Sequence, residues 1–287
     1  MDTIAVVGAT GNIGSRLVAR LASGGHDVRA IARNPGQQAD SVEWVRADLA
    51  DADEATDALD GANGVYLTPT LSGDEPLQAE TLVTTNVINA AAKQGIDHVI
   101  LHTALDADRG DTGAGILDNK TPIELALASS GVGYTILRPA WFLQNLWAAR
   151  DYFEQGVVSM PWPGDMVWAA TDINDIVTAA VAFFELGPTG SAFDVHIPGG
   201  ITGQQIADAA TATLGKDVAY YEADVSTRDY VEGFPISDVH KDLYAELFDY
   251  FRSTTYLGDT TPIAEALDGF TPRGLNEFLS EELFAEN

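Results

Sequence analysis

The chain has 287 residues, 46% hydrophobic and 20% charged, a composition that builds a sizeable globular core and excludes intrinsic disorder. Asp and Glu number 43 against 15 Lys and Arg, a formal net charge of -28 that leaves too little positive charge for a nucleic-acid surface. Cysteine is absent, so disulfides, thiolate catalysis and cysteine-held metal are excluded, and no metal site is expected.

The acids are spread along the chain, where a surface for a cationic partner would cluster them. Even spreading is a solvent adaptation, tolerable where salt shrinks the screening length to roughly 3 Å at 1 M, and the expectation is a halophile's protein. The start Met1-Asp2-Thr3 has no basic region ahead of an apolar one, and no apolar run is long enough to span a bilayer. A cytoplasmic protein with no membrane contact is expected.

The first predicted strand, Thr3 to Val7, runs into Gly8-Ala9-Thr10-Gly11-Asn12-Ile13-Gly14 and then a helix carrying Leu17, Val18 and Leu21. Glycine at these spacings allows a tight turn (Gly8), backbone approach to a pyrophosphate (Gly11) and close helix packing (Gly14). A second strand, Asp27 to Ala32, completes a βαβ unit, and together these residues predict a dinucleotide site touched by Gly8, Thr10, Gly11, Asn12, Ile13 and Gly14.

Arg33-Asn34-Pro35-Gly36 follows, where a carboxylate would hold the adenosine ribose and an Arg would accept a 2′-phosphate. No acid stands at that strand end, so NADP(H) is preferred, with NAD(H) second. A third strand over 42–47 ends at Asp48-Leu49, and Asp48 could instead cap the helix beginning near Asp51. The fourth strand, Asn63 to Pro69, ends at the ligand crevice with Thr68 and Pro69 as lining residues, and a long helix over Leu77 to Gln94 follows. The fifth strand is His98 to Thr103, in which His102 reads as a packed, hydrogen-bonded residue. The acidic loop Asp106 to Asp111 fails as a calcium loop, because its twelfth position is Leu117.

Lys120-Thr121-Pro122-Ile123-Glu124 opens a helix ending at Ser129-Ser130-Gly131, followed by Gly133-Tyr134-Thr135-Ile136-Leu137-Arg138-Pro139 and Ala140-Trp141-Phe142-Leu143-Gln144-Asn145. This run and the Gly8 to Gly14 turn, in this order, resemble the NmrA-like branch of the atypical short-chain dehydrogenase/reductases. The resemblance implies a Rossmann-type α/β fold, a doubly wound parallel sheet with a smaller C-terminal α/β substrate lobe. It places Asp48 and Leu49 beside adenine, Thr103 at the catalytic Ser/Thr position, and an Asp-Ile pair at Asp175-Ile176 in preference to Asp172-Ile173. Lys120, one of four lysines, is expected at the nicotinamide ribose, where it binds cofactor and orients or donates a proton. Pro139 and Phe142 are further expected cofactor contacts. The chain departs from the wider family's Tyr-x-x-x-Lys, since Ile116 stands four before Lys120.

Trp141, Phe142, Asn145, Trp162 and Trp168 are expected to wall a flat or apolar substrate, although each also reads as core between lobes. The predicted division is a cofactor core over 1–153, to which 169–198 returns through a strand over 192–197. A substrate-side lobe covers 154–168 and 199–287, with helices over 204–214, 239–251 and 271–284 and a strand over 218–221. The function expected is hydride transfer from NAD(P)H to a small quinone, enone or carbonyl. The alternatives are a non-catalytic NAD(P) sensor acting through a protein partner and an NAD-dependent epimerase or dehydratase; a homodimer is compatible with each.

Overall fold

The computed structural model describes residues 2–36 and 41–285. Its chain order begins β1 (Thr3–Val7), α1 (Asn12–Ser23), β2 (Asp27–Ala32), β3 (Val42–Arg46), α2 (Ala52–Ala58), β4 (Gly64–Leu67), α3 (Pro76–Gln94) and β5 (His98–His102). It continues with α4 (Gly115–Asp118), α5 (Lys120–Ser129), β6 (Tyr134–Pro139), β7 (Trp141–Phe142), a 3-10 segment over Leu143–Ala149 and α6 (Arg150–Glu154). Then come β8 (Val157–Met160), β9 (Val167–Trp168), β10 (Ala170–Thr171), α7 (Ile173–Leu186), β11 (Ser191–Val195), β12 (Ile201–Thr202), α8 (Gly203–Leu214) and β13 (Ala219–Glu222). The described chain closes with α9 (Thr227–Tyr230), α10 (Asp238–Ser253), α11 (Thr261–Ala266) and α12 (Leu275–Phe278).

Among the described residues the main sheet has seven strands in the order β11-β6-β5-β4-β1-β2-β3, every pair parallel. Strand alternation divides it into two cores. Ile4 and Val6 face α1 and α7, packing with Leu17, Ile176 and Phe183, whereas Ala5 and Val7 face α2, α3 and α5, packing with Ala55, Val87 and Ile123. The order reverses between β1 and β4, and a sheet of this kind opens its ligand crevice at that reversal, beyond the carboxyl ends of the strands. The fold is a Rossmann-like α/β fold.

A third core belongs to the C-terminal part. Val158, Trp162, Trp168, Ile206, Phe248, Phe251 and Phe278 pack together, under short strand pairs β7–β10, β9–β12 and β8–β13. The last helix is shorter than its apolar spacing predicts: residues 271–274 form no helix, the Arg273 N–H donating instead to both oxygens of Asp175 at 3.0 and 3.1 Å, and a π turn over Leu279–Leu283 follows α12. A partner from another element thus overrides the local helical pattern there. No helix among the described residues is long and apolar enough to cross a membrane.

Candidate functional site

At the end of β1, Gly8 has φ 74°, a conformation that a side chain disfavours, and the Gly11 N–H closes the turn on the Gly8 carbonyl at 2.9 Å. A Cβ at Gly14 would lie 2.2 Å from that same carbonyl oxygen, so the start of α1 is packed directly on the turn. No side chain caps α1 and no acid stands in its first turn. Its first N–H groups and the positive end of its dipole are left for an anion. Thr10, Gly11 and Asn12 are exposed along this edge, with Ile13 and Gly14 buried beneath.

Arg33 follows β2, and Arg46 ends β3 opposite Ala32. Both line a cavity of about 530 Å³ with Asn34, Ala47, Asp48 and Glu54, and neither guanidinium has a salt-bridge or hydrogen-bond partner among the described residues. Asp48 turns back to accept the Ala50 N–H at 3.1 Å, while Asp51 caps α2 by accepting the Asp53 and Glu54 N–H groups at 2.9 and 3.0 Å. Leu49 is buried in the core beside α2 and α3. Arg46 escaped the sequence reading. Nothing in the linear sequence marks it; the pairing of β3 with β2 brings it to the cavity.

Beyond β5, Thr103 Oγ1 donates to Glu124 Oε1 at 2.6 Å. Arg138 grips the same carboxylate through Nε at 3.0 Å and Nη2 at 2.5 Å, and reaches Asp108 through Nη1 at 2.8 Å. Lys120, the first residue of α5, is buried and ion-paired to Glu80 of α3, whose other oxygen accepts Asn119 Nδ2 at 2.8 Å. Burial pushes the Lys120 ammonium below its ordinary range, opposed by the carboxylates of Glu80 and Glu124. Because α4 leads through Asn119 into α5, this lysine does not confront a free helix end. Glu80 was legible as a charge on the buried stripe of α3, between Pro76 and Thr84.

Across the sheet, the Tyr66 hydroxyl and His102 Nδ1 lie 2.9 Å apart, and Phe142 meets the His102 ring edge-on at 6.0 Å between centroids. Thr68 and Pro69 follow β4 beside them, and the Thr68 hydroxyl is enclosed without a hydrogen-bond partner among the described residues. Of the expected substrate wall, Phe142 is half-buried, Asn145 is exposed and Trp141 keeps an edge at the surface. Trp162 and Trp168 have no exposed surface. Their rings pack together at 5.1 Å, and Trp162 meets Phe248 at 5.5 Å, so these two serve the C-terminal core. Gly8 to Gly14, Thr68, Thr103, Lys120, Pro139 and Phe142 therefore gather at the carboxyl ends of β1, β4, β5 and β6, with Arg33 and Arg46 at the β2–β3 side.

The profile of the NmrA-like family matches residues 1–279. The chain belongs to the NmrA-like family. Among its NmrA-like relatives, Quinone oxidoreductase 2 of Escherichia coli (strain K12) is 30% identical over 285 residues, covering 92% of this chain and 97% of that protein. The NAD(P)H azoreductase of Xenophilus azovorans is 29% identical over 227 residues, 76% of each chain. A solved structure of the NADPH-dependent quinone oxidoreductase of Escherichia coli complexed with NADPH superposes with a TM-score of 0.82 at 27% identity, covering 97% of this chain and 99% of that one.

Proposed function

We propose that this NmrA-like protein is an NADPH-dependent reductase that passes hydride to a small, electron-poor acceptor, a quinone foremost. The observation that carries this reading is the near-complete mutual coverage with a quinone oxidoreductase, in a chain whose own residues fit a dinucleotide phosphate. The fit is local and physical: a left-handed Gly8, a Gly14 position closed to any Cβ, an uncapped α1, and two guanidinium groups on one cavity without a partner among the described residues.

Bound NADPH supplies the hydride. The N–H groups opening α1 would hold the pyrophosphate, and Arg33 and Arg46 would offer charge-assisted hydrogen bonds to a 2′-phosphate. Lys120 is the candidate contact to the nicotinamide ribose, held in place by Glu80. Phe142 and Asn145 face the acceptor. The lost tyrosine suits such an acceptor: reducing a ketone leaves a strongly basic alkoxide that needs an acid, whereas a quinone yields an aromatic, weakly basic oxyanion.

Calorimetric titration with NADPH and NADH in high salt, followed by absorbance at the nicotinamide band with a quinone and azo panel, tests this reading. The expected result is tighter NADPH binding and oxidation by at least one quinone. Tight binding with no oxidation by any acceptor would replace the reductase by a regulatory NADP(H)-binding protein.

A further inference from the structure

Tyr66 and His102 belong to adjacent parallel strands, and the reading above gives them no task. Tyr66 has no exposed surface, and the hydrogen bond its hydroxyl makes is to His102 Nδ1 at 2.9 Å. The Thr68 hydroxyl is enclosed beside Tyr66, where as a donor toward the phenol oxygen it would leave the Tyr66 proton for His102. Burial drives the Tyr66 hydroxyl above its ordinary range and keeps its proton, and donation of that proton to Nδ1 is the arrangement that leaves no buried O–H unpaired. Nδ1 then accepts, and the ring proton resides on Nε2.

Burial, helped by the nearby Lys120 charge, pushes the His102 imidazole down to about 3, so the ring is neutral across the physiological range. Nε2 makes no hydrogen bond among the described residues, and it is not sealed off as His98 Nδ1 and His196 Nε2 are. Its ring rests against Phe142, at the end of β5 where the crevice opens. The chain thus builds a neutral N–H donor with fixed tautomer and orientation, pointed by a buried phenol.

The geometry points to His102 Nε2–H as the donor that holds the substrate oxygen on which negative charge collects during reduction, with Tyr66 as the residue that positions it. This inference rests on the reductase reading. A quinone receives one hydride, which carries two electrons and one hydrogen and leaves the nicotinamide oxidised. Hydride delivered to one carbonyl oxygen makes it a hydroxyl, and the oxygen conjugated with it across the ring becomes a hydroquinone oxyanion that takes its proton from water. His102 gives a hydrogen bond and keeps its proton, so it finishes the cycle unchanged. A pre-aimed neutral donor of this kind stabilises developing charge without reorganisation. It occupies the role left open by Ile116, which stands four residues before Lys120.

The test compares wild type, His102→Leu, His102→Gln and Tyr66→Phe in NADPH binding, thermal melting and quinone turnover. His102→Leu is expected to lower kcat roughly 100-fold, the loss typical of one oxyanion donor, with NADPH affinity close to wild type and a cooperative melt lowered by the loss of the Tyr66 partner. His102→Gln, whose amide N–H falls near the Nε2 position, should recover roughly tenfold of that loss, and Tyr66→Phe should lower kcat less than His102→Leu. The wild-type kcat should show no break near pH 6.5, the ordinary imidazole value. Nitrogen-15 spectra of the wild-type protein should report the Nε2–H tautomer. Wild-type turnover in a folded, NADPH-binding His102→Leu, or an Nδ1–H tautomer, would overturn this inference alone. Absence of turnover in the wild type would overturn the reductase reading and this inference with it.

Discussion

Thr103 Oγ1 and Glu124 Oε1 are 2.6 Å apart, and the carboxylate they share is also gripped by Arg138. The hydroxyl proton of Thr103 is therefore committed to a carboxylate and is not free for a substrate, although the oxygen can still accept.

Thr103→Val removes one donor from a buried carboxylate that keeps its Arg138 contacts. We expect a stability loss of about 1–3 kcal/mol in chemical denaturation, with turnover within a few-fold of wild type. Thr103→Ser should restore both. A fall in kcat well beyond this at unchanged stability would instead assign Thr103 the acid role.

On the reading proposed above, Arg33 after β2 and Arg46 at the end of β3 would share the cofactor's distinguishing phosphate, so neither alone should account for the preference. Each Ala substitution should weaken NADPH binding by about 1.5–3 kcal/mol, roughly 10- to 100-fold, and leave NADH nearly unchanged. The losses should grow smaller in molar salt, because these groups are exposed. Equal effects on the two cofactors in calorimetry would remove the 2′-phosphate assignment.

The difference between Arg33 and Arg46 shows what was legible in the sequence. Arg33 follows a strand within one βαβ unit, so local pattern places it. Arg46 reaches the same cavity through strand pairing, which a linear reading does not register. The glycine turn and the βαβ unit around it follow from local periodicity and motif, and the doubly wound sheet from the resemblance that these motifs carry. Trp162 and Trp168 do not: an aromatic residue in a turn reads alike whether it lines a pocket or fills a core, and here Phe248 and Phe251 close over Trp162 from a helix some ninety residues away. The same limit hid the partners of Arg273, which link the C-terminal segment to α7 through Asp172 at 2.8 Å and through Asp175.

Asp175 gives a stability effect with a defined sign. Burial, with Asp172 and Glu277 nearby, raises its carboxyl from 3.8 to about 7, against the opposing Arg273 N–H and guanidinium. A carboxyl raised in the folded state favours folding while protonated, and that contribution is lost as pH rises from about 3.8 through about 7. The penalty at pH 8 is on the order of 4 kcal/mol at most. Asp175→Asn keeps an acceptor for the Arg273 N–H and removes the titration. Between pH 5 and 8 the variant's melting temperature should therefore gain on the wild type, and parallel curves would show that the carboxylate is ionised at little cost.

Lys120 presents the hardest assignment, because Lys120→Ala leaves Glu80, which has no exposed surface, without its cation. Breaking a buried pair from one side costs about 3–5 kcal/mol, so lost activity in that variant would not separate catalysis from folding. The double substitution Lys120→Met with Glu80→Gln removes both charges together and leaves a side-chain amide for the acceptor role toward Asn119 Nδ2. Its stability should return to within about 1–2 kcal/mol of wild type, since a buried ion pair replaced as a unit is close to neutral. If Lys120 holds the nicotinamide ribose, the restored double variant should still bind NADPH at least tenfold more weakly, by loss of about 1.5 kcal/mol or more from a charged hydrogen bond. Wild-type affinity and turnover in a restored double variant would make the Lys120–Glu80 pair a brace between α3 and α5, and would leave His102 as the polar group nearest the chemistry.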